Sequence, residues 1–135
     1  MSLRLRADLD QLGRVREYAI ESAMALGVAP SAFDDLRLAV DEAVTNVITH
    51  GYDGPGDIEL DLTASGSDLI VNLRDWAPPY DLALAPPVDL RPPGERDNPG
   101  GFGVFLMQSA MDDLTHEATQ TGNQLTMIKR NVIDC

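Results

Sequence analysis

Cysteine is almost absent from this sequence of 135 residues. The one cysteine, Cys135, is the last residue, so no intrachain disulfide can form and no cysteine-based zinc site can be built. Long apolar runs are missing too, because none approaches the ~20 residues that a membrane-spanning helix needs. The N-terminus also lacks the apolar stretch of a secretory signal. These absences together predict a cytoplasmic protein.

Basic residues are scarce. The chain has 10 lysine plus arginine residues against 22 aspartate plus glutamate residues, a net charge of −12. Nucleic-acid binding and docking on anionic membranes both need a basic surface, so neither is expected. An acidic surface can steer a basic protein partner, or it can serve solubility alone, and composition does not decide between the two.

The residues that are abundant are those of a globular domain. Hydrophobic residues make up 44% of the chain and charged residues 24%, which favours a folded protein, and the length suits a single domain over residues 1–135. Apolar residues at helical spacing predict a helix that is capped by Asp8, runs to about Leu26 and is ended by Gly27. A second helix is predicted from Ser31 to about His50, with Asp34 completing a capping box.

Alternating apolar and polar residues predict strands in five places. These strands are expected at residues 3–6, 58–63, 69–74, 114–119 and 125–130, with a third helix at 102–110. Helices that come early and hairpins on either side of a loop predict an α+β fold. We expect a two-layer sandwich, in which helices cover one face of a mostly antiparallel sheet.

The stretch from 77 to 101 differs from the rest of the chain, since it holds seven prolines and three glycines. Regular structure is not expected there. A loop of this length inside a small domain often has a function, such as that of a lid over a ligand. An insertion without a function is the alternative.

Glu42 and Asn46 are four residues apart on the second helix, so they share a face, and His50 continues the row. A carboxylate and a carboxamide are suitable oxygen ligands for Mg²⁺, and the carboxylate could accept a proton from an attacking hydroxyl. A solvated polar face of the helix would look the same.

Asp75 directly follows a strand, where its carboxylate could accept a hydrogen bond from an exocyclic amine such as that of adenine; an ordinary turn is the alternative. The glycines at 100, 101 and 103 surround the start of the third helix, where backbone N–H groups can bind phosphate. The sequence contains no GxxxxGK[ST] motif, and its glycines do not follow an early strand as in dinucleotide-binding folds.

Taken in order, these motifs resemble those of the GHKL ATPase superfamily. The segment DEAVTNVITHGY, residues 41–52, is similar to the N-box of the anti-sigma-factor serine kinases in that superfamily. Their adenine box is similar to DWAPPYD, residues 75–81, and their second glycine box to GGFGVFLMQSAMDDL, residues 100–114. Residues 122–130, GNQLTMIKR, look like the closing strand. The resemblance covers nearly the whole chain.

The resemblance implies a histidine-kinase-like ATP-binding fold with a lid around 77–101, and ATP and Mg²⁺ as cofactors. It implies that Glu42 is the catalytic base and that Asn46 is the Mg²⁺ ligand. The residues expected to contact ATP are Asn46, Asp75, Ala77, Arg96, Gly101, Gly103 and Gln124. Arg96 is included because it is the basic residue nearest the glycines.

Two positions depart from the family pattern. The family usually has glycine two residues after the adenine-box aspartate, where this chain has Ala77. The closing turn often has threonine after its glycine, where this chain has Asn123 followed by Gln124. Either change could weaken nucleotide affinity, although neither removes the expected base or the metal ligand.

The implied function is that of an anti-sigma factor with Mg-ATP-dependent serine/threonine kinase activity. Its partners would be a sigma factor, which it sequesters, and an anti-sigma-factor antagonist of the STAS type, which it phosphorylates. A homodimer is also implied, and Arg14 and Arg16 could meet an acidic partner or simply be solvated. The alternatives are a nucleotide-binding switch without transfer, a histidine-kinase catalytic domain, and a structural domain without a ligand.

Overall fold

The computed structural model describes residues 2–48, 56–77 and 102–133. The helices in these ranges are α1 (Leu12–Leu26), α2 (Phe33–Asn46) and α3 (Phe102–Ala110). The strands are β1 (Ser2–Arg6), β2 (Asp57–Ser65), β3 (Asp68–Asp75), β4 (Asp113–Thr119) and β5 (Gly122–Lys129). Short 3-10 turns at Leu9–Gln11 and Pro30–Ala32 lead into α1 and α2.

The strands form one sheet in the order β1-β2-β3-β5-β4, and all four pairings are antiparallel. Strand β5 is therefore inserted between β3 and β4, which makes β3 the middle strand. The end of β3 lies between two neighbours, since Asp75 is opposite Ile58 on β2 and Asn123 on β5. The predicted α+β class with an antiparallel sheet is confirmed.

The core lies between the helices and one face of the sheet, because apolar residues alternate with polar ones along the strands. Each large apolar side chain that is fully buried contributes about 1.5–3 kcal/mol. The largest of these side chains are Leu36, Ile58, Leu60, Leu69, Leu73, Met107 and Met127. The other face of the sheet carries mostly polar residues, among them Glu59, Asn72, Arg74, Gln124 and Thr126. Within the described ranges, no helix is both long and apolar enough to cross a membrane.

The helix ends show one success and one error of the sequence-based predictions. Helix α1 ends at Gly27, whose φ of 85° is the left-handed conformation that glycine adopts readily, as predicted. The capping box predicted for α2 is wrong. Pro30 starts a 3-10 turn that delays the helix to Phe33, and Asp34 instead forms an ion pair with Arg37 at 2.9 Å. Residues 47 and 48 continue as a π-helical turn, and the predicted end of the helix at residues 49–50 lies outside the described residues.

Candidate functional site

The centre of the candidate site is a buried carboxylate at the end of β3. Asp75 is 2% exposed and shares the inner face of the sheet with the alternating buried residues of that strand. Its Oδ1 accepts hydrogen bonds from the Ala77 N–H at 3.0 Å and from Nδ2 of Asn123 at 2.9 Å. Two donors on one oxygen offset part of the cost of burying the charge, and they fix the plane of the carboxylate. Asp75 is thus held in place as a hydrogen-bond acceptor.

A glycine lets strand β5 approach this carboxylate closely. Gly122 is the first residue of β5 and has a φ of 149°, which side chains rarely allow. A Cβ at this position would lie 2.0 Å from the carbonyl oxygen of Asp75 and 2.8 Å from Cα of Trp76. The chain after β3 therefore packs directly on the backbone of Gly122, which brings the next residue, Asn123, to the carboxylate.

Trp76 anchors the same segment on the opposite face of the sheet. The guanidinium of Arg4 lies 4.2 Å from the centroid of the Trp76 ring, and that of Arg74 lies 5.3 Å from it. Each cation–π contact of this kind is worth about 0.5–1 kcal/mol at an exposed position. The end of β3 is thus held from the inside through Asp75 and from the outside through Trp76.

Ala77 contributes both its backbone and a buried side chain. Its N–H closes the turn onto Asp75, and the residue is 2% exposed. Alanine at the position where the family usually has glycine is therefore accommodated in a closed turn that keeps the carboxylate bonded.

The structure does not bring Gln124 to this carboxylate. Gln124 is exposed and pairs with Arg74 in the register of β3 and β5, and its Nε2 lies 3.5 Å from Oδ1 of Asn72 on the outer face. The side chain beside Asp75 is that of Asn123, which is 3% exposed. The sequence held a signal for this, because Asn123 is in phase with the apolar positions of β5, Leu125 and Met127.

Glu42 lies on α2, half-buried, beside a second carboxylate. Burial raises the pKa of the Glu42 carboxyl, and the negative charge of Asp41 raises it further. Asp41 itself is bound by Arg16 of α1, whose Nε lies 2.7 and 2.9 Å from its two oxygens. Arg16 therefore joins α1 to α2 through Asp41, the residue that precedes Glu42. A glutamate with a raised pKa is suited to accept a proton.

Asn46 is the last residue of α2, one turn after Glu42. Its Nδ2 atom is buried, and among the described residues no hydrogen-bond partner reaches it. An unsatisfied buried N–H donor costs about 1–3 kcal/mol, so such groups often mark a site where an acceptor atom of a ligand completes the bonding. Asn46 therefore fits a role in ligand binding.

The remaining predicted residues belong to the glycine-rich segment. Gly103 is the second residue of α3, so its N–H belongs to the first turn of that helix, and N–H groups in a first turn can bind phosphate. Arg96 and Gly101 lie outside the described residues, and so does almost all of the predicted lid around 77–101.

Residues 5–129 match the protein family described as the histidine kinase-like ATPase domain. The serine-protein kinase RsbW of Listeria monocytogenes is 30% identical to this chain over 120 residues, which cover 84% of this chain and 75% of that protein. The anti-sigma F factor of Clostridium kluyveri is 34% identical over 100 residues, which cover 70% of this chain and 68% of that protein.

A solved structure with a similar fold is that of the RsbU and RsbW domains of Rv1364c from Mycobacterium tuberculosis. It has a TM-score of 0.63 at 17% sequence identity, and the match covers 96% of this chain and 32% of that chain. At this identity the likeness shows the fold alone. The family match and the sequence relatives go further: this chain belongs to the histidine kinase-like ATPase domain family, in the branch of the anti-sigma-factor serine kinases.

Proposed function

We propose that this protein binds Mg-ATP and transfers the γ-phosphoryl group to a serine or threonine of a protein partner. The observation that carries the proposal is the buried carboxylate of Asp75, held by Ala77 and Asn123 in a domain of the ATPase family. The exocyclic amine of adenine would donate a hydrogen bond to this carboxylate. Because Asp75 is bonded before any ligand arrives, adenine would meet an acceptor that is already oriented.

The side chains on α2 fit the phosphate end of the nucleotide. The Nδ2 of Asn46, which no described residue satisfies, can donate to a phosphate oxygen, and the Oδ1 of the same side chain is a suitable ligand for Mg²⁺. Asn46 would hold the ion, which when bound neutralises charge on the phosphate oxygens. The N–H groups in the first turn of α3, which contains Gly103, would bind the phosphates.

Glu42 would act as the base for the acceptor hydroxyl. The hydroxyl oxygen forms a bond to the γ-phosphorus, the bond from that phosphorus to the bridging oxygen of ADP breaks, and the hydroxyl proton passes to Glu42. Burial and the charge of Asp41 raise the pKa of this carboxyl, so it takes up a proton more readily than an exposed glutamate would.

The relatives support the proposed partners, since one is named a serine-protein kinase and another an anti-sigma factor. We propose that this protein sequesters a sigma factor and that a STAS-type antagonist of this inhibition is the phosphate acceptor. A homodimer in the cytoplasm belongs to the same proposal. ATP contacts of Arg96 and Gly101 stay predictions, as does the lid around 77–101. The contact expected for Gln124 is not part of the proposal, because its side chain lies on the outer face of the sheet.

A two-stage experiment tests this function. Calorimetric titration of ATP with and without Mg²⁺ should show binding that depends on Mg²⁺ in the wild type and loses this dependence in Asn46→Ala. Purified STAS-domain proteins and γ-labelled ATP should then give an acid-stable phosphoprotein with the wild type, and at least a ~100-fold slower reaction with Glu42→Gln.

Each stage has an outcome that contradicts the proposal. A folded wild type that binds no ATP at millimolar concentration would remove the nucleotide site. Binding without transfer to any STAS-domain protein would support a nucleotide-controlled switch. An acid-labile product would indicate phosphohistidine rather than phosphoserine or phosphothreonine.

A further inference from the structure

Asn123 and Asp75 form a buried polar pair on neighbouring strands. They lie directly opposite each other in the register of β3 and β5, at 3% and 2% exposure. Directly opposite residues on one face of an antiparallel pair are the closest cross-strand neighbours, so their contact depends on the strand pairing rather than on flexible loops. The Nδ2–Oδ1 distance of 2.9 Å is that of a good hydrogen bond.

The Ala77 and Asn123 donors act on the same oxygen of Asp75, Oδ1. The Ala77 N–H comes from the turn that follows β3, and the Asn123 amide comes from across the sheet. Without the Asn123 amide, rotation of the carboxylate about its Cβ–Cγ bond would be less restricted. With both donors on Oδ1, that rotation would break a buried hydrogen bond, which is costly where water cannot replace it.

We propose that Asn123 is a positioning residue that sets the base specificity of the nucleotide site by fixing the orientation of the Asp75 carboxylate. The inference rests on the proposed function, because it assumes that the base meets Asp75. A carboxylate presents only acceptor oxygens. Held in one orientation toward the base, it favours a base that offers an amine and repels one that offers a carbonyl in the same place. Adenine has the amine at C6, and hypoxanthine has the carbonyl.

The structural surroundings explain why this task falls to Asn123. The close approach of Gly122 to the backbone of residues 75 and 76 sets the distance between the two side chains. The neighbouring amide, Gln124, points to the outer face and bonds toward Asn72 there, so it has no access to the carboxylate. A substitution at Gln124 therefore provides a matched control on the same strand.

The test compares the dissociation constants of ATP and ITP by calorimetry for the wild type, Asn123→Leu and Gln124→Leu. The wild type should bind ATP at least about tenfold more tightly than ITP, the effect of one charge-assisted hydrogen bond. In Asn123→Leu the ratio of the two constants should fall to about threefold or less, whereas Gln124→Leu should keep the wild-type ratio. Because the ratio compares two ligands on the same folded protein, a loss of stability alone does not move it.

The outcomes separate this inference from the proposed function. A folded wild type that binds neither nucleotide contradicts the function itself, and with it the inference. Wild-type binding without preference for ATP overturns the inference alone, and so does an Asn123→Leu protein with the wild-type ratio. If Asn123→Leu does not fold, Asn123→Ser, whose side chain is too short to span the gap, is expected to lose the preference in the same way, and a retained preference overturns the inference.

Discussion

Replacing Gly122 with alanine should destabilise the protein severely. The added Cβ would lie 2.0 Å from the carbonyl oxygen of Asp75. Cβ atoms are essentially never found closer than 3.0 Å to such an atom, so the strands would have to move apart by about 1 Å. Overpacking against backbone costs about 1–3 kcal/mol, and the φ of 149° adds about 1–3 kcal/mol for a residue with a side chain. The expected loss of about 2–6 kcal/mol is a large part of the 5–15 kcal/mol typical of a domain.

Gly66→Ala is the matched control for this substitution. Gly66 has a φ of 61° in the β2–β3 turn, and a Cβ there would meet nothing within 4 Å, so only the backbone term of about 1–2 kcal/mol applies. Urea unfolding, followed by the fluorescence of Trp76, the single tryptophan, would measure both variants. Equal losses of stability for the two alanines would refute the close packing of Gly122 on the end of β3.

Three further predictions concern charged side chains. Glu42→Gln should raise the urea midpoint of unfolding at pH 8 but not at pH 4. The pKa of Glu42 is raised in the folded protein, so the wild type loses stability as pH rises from the pKa of the unfolded chain, about 4.3, through that of the folded protein. Equal urea midpoints for the variant and the wild type at pH 8 would contradict this. Asp41→Asn should move the acid limb of the pH–rate profile of phosphoryl transfer to lower pH, since removing the neighbouring charge lowers the pKa of Glu42. An acid limb at the wild-type pH would contradict this prediction. Lys129→Met should lower the free energy of unfolding, measured in urea, by about 1–2 kcal/mol. The reason is that Nζ of Lys129 donates to the Ala110 carbonyl at 2.6 Å and pairs with Asp35 at 3.1 Å. A loss below about 0.5 kcal/mol would show that these contacts are unimportant.

Local patterns predicted most of the elements. The helix predicted at 102–110 is observed as Phe102–Ala110, and the strands predicted at 58–63 and 69–74 extend by only one or two residues at each end. These segments have clear apolar periodicity, so the local signal and the tertiary packing agree. The capping box at Ser31 failed because a proline one residue earlier imposed a different turn, which is a local conflict that the pattern itself does not resolve.

The site was less predictable than the fold. The insertion of β5 between β3 and β4 brings Asn123 to Asp75, and pairing between residues 48 positions apart leaves no trace in local periodicity. The choice between Asn123 and Gln124 depends on the phase of one strand, and a shift of one residue moves a side chain to the other face. The motif located the turn, but only the register shows which of its side chains is buried.

The carboxylate of Asp75 is the point on which the proposed function depends most directly. Calorimetric titration of Mg-ATP against the wild type and Asp75→Asn measures its contribution, with Gln124→Leu as a control on the outer face of the sheet. We predict that Asp75→Asn weakens ATP binding about 10- to 100-fold, the loss expected for one charge-assisted hydrogen bond, while Gln124→Leu stays near the wild type. Equal affinities for the wild type and Asp75→Asn would contradict the assignment of this carboxylate to the adenine base.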